Sequence, residues 1–173
     1  MDLYYEDERL SEHRHREYLK DCAQDDLTKL HLMYHITGTD ALMFKKDYLI
    51  RIGCFPHIDL GDEFYLMQSA IDAKGKFGYL NRCDVKAYVH TGKESLSSGN
   101  NKIRCENQLY VYKKEFFSKL DKKTIKYIRM RHYAVIAFAY YRMKSYGAFI
   151  ANALHAALIS PYYCIKMYIN MAK

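Results

Sequence analysis

Apolar positions in this chain follow a helical spacing in some stretches and an alternating or continuous one in others. From Ile58 to Gly75 the sequence reads IDLGDEFYLMQSAIDAKG, with Phe64, Met67 and Ile71 at i, i+3 and i+7, joined by Leu66 and Ala70. That spacing lays one apolar stripe along a helix that can dock on a sheet, and Lys74-Gly75 closes it. Upstream, Ile36 to Phe44 reads as a buried strand with a turn at Thr37-Gly38-Thr39-Asp40. Lys45 to Ile52 reads as a short helix that Gly53 ends, with Lys46 and Asp47 on its wet face. Downstream, Phe77 to Leu80 and Val85 to His90 read as short strands flanking a turn at Asn81-Arg82-Cys83-Asp84. Thr91 to Asn101, TGKESLSSGNN, is the most loop-like stretch. Ile103 to Leu120 is a long amphipathic helix, with Ile103, Leu109, Tyr110 and Phe116 or Phe117 available for packing. The polar, mixed-sign segment Met1 to Leu32 reads as a helical or partly irregular excursion.

Two carboxylates open the helix that follows Ile58. Asp62 suits its N-cap, because the side chain can accept from N–H groups of the first turn, and Glu63 lies where the dipole favours an anion. Acids at a helix start are most often caps. A loop that presents paired acids above a well-anchored helix is also how a fold holds a carboxylate rigidly towards a substrate.

The length of 173 residues suffices for one domain with a core, and 50% hydrophobic against 27% charged residues excludes a disordered chain. Eighteen Tyr with no Trp and two Pro favour surfaces that are half apolar and half wet, as at an interface. The five cysteines are widely spaced without a CxxC pair, so neither a disulfide framework nor a zinc site is indicated, and a reducing compartment is expected. His13 and His15 sit two apart and point to different sides of a helix, which argues against a metal pair. No signal-like leader opens the chain, so export is not expected.

Charge divides the chain. Lys122 to Lys173 holds nine of the 27 Lys and Arg and no Asp or Glu, so the remainder carries 18 basic against 20 acidic side chains. All of the excess positive charge is in the tail. Between Ser145 and Ile165 there is no charged residue, and Phe149, Ile150, Ala153, Leu154, Ala157 and Leu158 form a stripe one helix face wide. Asn152, His155 and Pro161 argue against a full membrane span. An acid-free, Tyr-rich basic segment fits an anionic membrane surface, while a plain packing helix with solvated charges fits the same pattern. No nucleic-acid-binding motif accompanies the charge.

The order HITGTDALMFKKDYLIRIGCF (His35 to Phe55), then the acidic pair, then KFGYLNRCDVKAYVHTGKESLSSGNNKIRCENQLYVYKKEFF (Lys76 to Phe117) strongly resembles the acceptor-side half of family 2 glycosyltransferases, bacterial enzymes of the GT-A type. The resemblance covers Ile36 to Phe117. It implies that the acidic pair carries the general base, with Glu63 as the base and Asp62 beside it, where many members have Asp in the second position. His90 then resembles the family histidine near the donor diphosphate or its divalent metal. Lys93, Ser95, Ser97 and Ser98 would lie on a loop closing over the nucleotide-sugar, and Thr37, Gly38, Thr39 and Asp40 would line the acceptor pocket. Read singly, His90 is a hydrogen-bonded surface residue and Asp40 a turn residue. The family's Asp-x-Asp motif, whose carboxylates hold Mg²⁺ or Mn²⁺, is missing, as is the opening nucleotide-binding strand and helix, so a truncated or fragmentary enzyme is expected.

The sequence therefore predicts an α/β chain: a partial GT-A (Rossmann-like) acceptor half with a mixed sheet over residues 1–120, followed by a basic amphipathic helical tail over 121–173. The function implied is an inverting glycosyltransferase of bacterial cell-surface polysaccharide synthesis. Its donor is a nucleotide-sugar, its acceptor a glycan or lipid-linked sugar, and its cofactor Mg²⁺ or Mn²⁺ in the complete enzyme, with none held tightly by this chain. The alternative is a non-catalytic membrane- or partner-binding remnant. A cytoplasmic location is expected, peripheral on the inner face of the membrane, with homo-oligomers formed through the Tyr-rich tail and no nucleic-acid partner.

Overall fold

A computed structural model describes residues 2–5, 7–13, 19, 22–23, 26–36, 42–58, 61–80, 82, 84–89 and 99–171. It forms two compact units, Met1–Lys93 and Glu94–Lys173. The first holds strands β1 (Asp2–Tyr5), β2 (Leu10–His13) and β3 (Lys86–Val89) with helices α1 (Leu27–Tyr34), α2 (Lys46–Arg51) and α3 (Asp62–Asp72). The second holds α4 (Gly99–Lys114), a 3₁₀ turn (Phe117–Lys119), α5 (Lys122–Arg142), α6 (Tyr146–Ile159) and α7 (Pro161–Met171). Helix predominates and the sheet is small. The α/β expectation holds only in that coarse sense. The boundary falls after Lys93, where the sequence pointed to residue 120, because α4 packs on α5.

In the first unit the strand order is β2-β1-β3, with β1 antiparallel to β2 and parallel to β3. The β1–β2 hairpin lies where the sequence suggested a helical or irregular excursion. Its turn has neither Gly nor Pro. Instead the Arg9 amide donates to Asp7 Oδ1 (3.2 Å), the Arg9 guanidinium to Asp7 Oδ2 (2.7 Å), and Glu8 takes a positive φ of 65°. Asp7 thus supplies by side-chain bonding what glycine usually supplies by backbone freedom. In register, Tyr4 faces Tyr88 across β1 and β3, and Tyr88 Oη donates to Glu8 Oε1 (2.7 Å), which also pairs with Lys86.

Residues 42–45 and 77–80 are irregular among the described residues, so the strands expected at Ile36 to Phe44 and Phe77 to Leu80 are not seen there. Two of their apolar side chains are used all the same: Leu42 and Phe77 pack, with Ile71, Leu30 and Cys22, on the buried core of Leu27, Ile36 and Met67. An apolar run without a strand partner can serve the core from a loop. The short helix before Gly53 forms as expected, and Gly53 sits at φ 94° just past its end. The strand at Val85 to His90 is seen as Lys86–Val89.

Among its described residues the second unit is helical, without a strand. Asp121 caps α5 by accepting from the Thr124 amide (2.9 Å) and its hydroxyl (2.6 Å). Between α5 and α6, Tyr133 stacks on His155 at 5.0 Å and Tyr141 packs on Phe149 at 5.4 Å. Tyr127 meets Tyr163 of α7 edge-on at 5.1 Å. The chain breaks at Ser160 because Pro161 has no N–H to extend α6 and forces the residue before it out of the helical region. Ser160 Oγ then accepts from the Tyr163 amide (3.4 Å), and α7 leaves at 116° to α6.

Candidate functional site

Asp62 and Glu63 occupy the first turn of α3, both half-buried. The N-cap is Gly61, at φ 77° with no side-chain bond, so Asp62 is the first helical residue and not the cap. Neither acid is the cap residue itself, and both stand in the first turn, where the helix dipole favours an anion.

The helix beneath them is firmly held. Phe64, Leu66, Met67, Gln68 and Ala70 are buried. His31 of α1, fully buried, lies stacked on the Phe64 ring at 4.1 Å and bonds the Phe64 carbonyl through Nε2 at 2.9 Å. A carbonyl only accepts, so Nε2 carries the proton. At the far end Lys74 adopts φ 54°; its amide bonds the Ile71 carbonyl (2.9 Å) and the Gly75 amide the Ala70 carbonyl (3.0 Å). This paired closure is the one glycine usually makes. Gly75 is needed for another reason: the Tyr48 hydroxyl, donating to the same Ala70 carbonyl at 2.8 Å, fills the space a Cβ would take.

Of the residues expected at the site, only Asp62 and Glu63 are described. Thr37, Gly38, Thr39, Asp40, His90, Lys93, Ser95, Ser97 and Ser98 lie outside the described residues. Among the described residues no group of three or more His, Cys, Asp and Glu side chains could hold a metal ion. No single described helix is long and apolar enough to cross a membrane.

Among the described residues a buried cluster of ionisable groups lies elsewhere, within the second unit. Glu106 and Lys113 of α4 are both buried, and with Tyr110, Ile128, Arg131 and His132 they line a cavity of about 10 Å³, room for about one water. Burial opposes the charge on Glu106, but Lys102, bonded at 2.7 Å, and Arg131 outweigh it and hold the carboxyl below its ordinary range. Burial, reinforced by Arg131, pushes the Lys113 ammonium well below its usual value. Burial likewise brings His132 down to about 4, against the pull of Glu106; the ring stacks on Tyr110 at 4.0 Å. The signal for this cluster was in the sequence. Lys102, Glu106 and Lys113 share a stripe with Leu109 at i, i+4, i+7 and i+11, which puts charges on the packing face.

No protein-family profile, no curated protein and no solved structure matches the chain. The family resemblance therefore rests on the order of motifs.

Proposed function

We propose that the chain is the acceptor-side part of an inverting, family 2-like glycosyltransferase of GT-A fold, acting in bacterial cell-surface polysaccharide synthesis. The observation that supports this reading is the pair Asp62 and Glu63 in the first turn of α3, half-exposed above a helix whose opposite face is buried and pinned by His31. In the proposed reaction an acceptor hydroxyl oxygen attacks the anomeric carbon of a nucleotide-sugar. The new C–O bond forms as the bond to the diphosphate breaks, the diphosphate leaves with the electron pair, and the configuration inverts. The hydroxyl proton passes to the Glu63 carboxylate as the new bond forms, which a carboxylate can accept because the hydroxyl becomes acidic only along that path. Asp62 orients the acceptor, and Thr37 to Asp40 and the Lys93 to Ser98 loop are assigned acceptor and donor contacts by motif order.

The test is binding of the chain to an array of bacterial surface oligosaccharides, with a parallel assay of UDP- and GDP-sugars plus Mn²⁺. Expected are binding that falls about tenfold or more in the Asp62→Asn/Glu63→Gln variant, since charge-assisted bonds are each worth about 1.5–3 kcal/mol, and no turnover by the chain alone. Equal array binding by both proteins removes the acid pair from the site. A second reading, a non-catalytic docking module, is favoured by the uncovered apolar face of α6.

A further inference from the structure

The face of α6 turned away from α5 is apolar and uncovered. Ile150, Leu154 and Leu158, spaced i, i+4 and i+8, are 54%, 59% and 83% exposed, while Phe149, Ala153 and Ala157 of the same sequence stripe are half-buried. The stripe read from the sequence is thus split between two jobs: one edge packs and the other faces outward. Tyr162 and Ile165 are likewise exposed on α7. No charged residue interrupts α6 itself, and cations stand at its margins: Arg142 and Lys144 just before it, Lys166 on α7 after it, all exposed.

We infer that this face of α6 lies in the headgroup layer of an anionic lipid bilayer, parallel to its plane, with Arg142, Lys144 and Lys166 paired to lipid phosphates. Length decides against crossing: fourteen residues make about 21 Å of helix, where the hydrocarbon layer needs about 30 Å, and the 116° break at Ser160 keeps α7 from extending it. Charge decides between lipid and a second copy of the chain. From Lys122 onwards there is no acid, so a symmetric dimer through this face would set the same cations against one another. Nucleic acid would use the cations but leave Ile150, Leu154 and Leu158 in water. A bilayer rich in anionic lipid satisfies both the stripe and its margins. This surface belongs to the second unit and is independent of any role for Glu63.

The protein has no Trp, so Leu158→Trp installs a single reporter at the most exposed point of the stripe. Flotation and Trp emission are measured with vesicles of phosphatidylcholine alone and of phosphatidylcholine with phosphatidylglycerol. Expected are flotation and a blue-shifted, lipid-quenchable Trp with the anionic vesicles only, and release as salt shortens the screening length from ~10 Å at 0.1 M to ~3 Å at 1 M. Arg142→Glu/Lys144→Glu should lower partitioning by about 25-fold or more, each lost cation counting for about fivefold. Leu154→Glu/Leu158→Glu should abolish it while far-UV circular dichroism stays unchanged. Equal binding to neutral vesicles, or an unshifted Trp on anionic ones, overturns the inference. So does a dimer by light scattering that Leu154→Glu/Leu158→Glu renders monomeric.

Discussion

His132 makes the stability of the second unit depend on pH between its ordinary value of 6.5 and about 4. The ring is buried against Tyr110, and burial disfavours the imidazolium more than the nearby Glu106 carboxylate favours it, with Lys113 and Lys114 adding to the cost. In this window the unfolded chain binds the proton and the folded chain does not. Stability is therefore full above 6.5 and is lost as pH falls towards 4. At 1.36 kcal/mol per pH unit the whole gap corresponds to about 3.4 kcal/mol. Water still screens part of the ring's surroundings, which reduces the contribution to about 1–2 kcal/mol. His132→Phe keeps the stacking and removes the titration. Urea unfolding of both proteins at pH 4.5, 5.5, 6.5 and 7.5, followed by circular dichroism, separates this residue from the other titrating groups. The wild-type midpoint should fall by about 1 M more than that of His132→Phe between pH 6.5 and 4.5, taking a slope of about 1–2 kcal/mol per M. Parallel curves would refute the assignment.

Lys74→Gly should stabilise the first unit by about 1 kcal/mol, because Lys74 holds a left-handed φ that costs a side chain about that much; a thermal melt that does not rise contradicts this. Gly75→Ala should cost about 1–3 kcal/mol, since the new methyl group runs into Tyr48, and Tyr48→Phe should recover part of it in the same melt. Asp121→Ala removes the cap of α5 and should cost about 1 kcal/mol in urea unfolding, with Asp121→Ser costing less. In an active enzyme containing this part, Glu63→Gln should lower kcat by ~10²–10⁴ with little change in KM. Asp62→Asn should be milder and cost under about 1 kcal/mol of stability, since only its dipole contact is lost; exchanged effects would exchange the two roles.

Where several residues repeat a spacing, the sequence was legible. Phe64, Met67 and Ile71 marked α3, and Gly53 marked the end of α2, because periodicity and a glycine stop are local properties. Elements that depend on distant partners were not. β1 and β2 have mixed, polar sequences and a turn made by Asp7 instead of glycine, and β1 becomes a central strand only through β3, more than 80 residues away. Residues 77–80 erred the other way, apolar enough for a strand but irregular, with Phe77 packed on the core and Leu80 exposed. At the acid pair, one residue separated expectation from structure. Asp62 is a good cap by type, yet Gly61, able to take φ 77°, holds that position and moves both acids into the helix. The buried charges of α4 were passed over because Glu106 and Lys113 read as solvent-facing by type, although Leu109 lies on their stripe.

The parallel pairing of β1 with β3 also sets an order of events. β1 is the middle of the sheet, and one of its two neighbours, β3, is the last described element of its unit. The β1–β2 hairpin can close early over a short loop, but a lone hairpin is marginal in water. It must wait for a closure spanning more than 80 residues to gain its third strand. Contacts within the second unit are made mainly between helices adjacent in the chain, α5 with α4 and with α6 above all, and such local contacts assemble fast, whereas distant strand pairing is slow. After dilution from denaturant the chain should therefore recover helical signal in a fast phase and its sheet in a slower one.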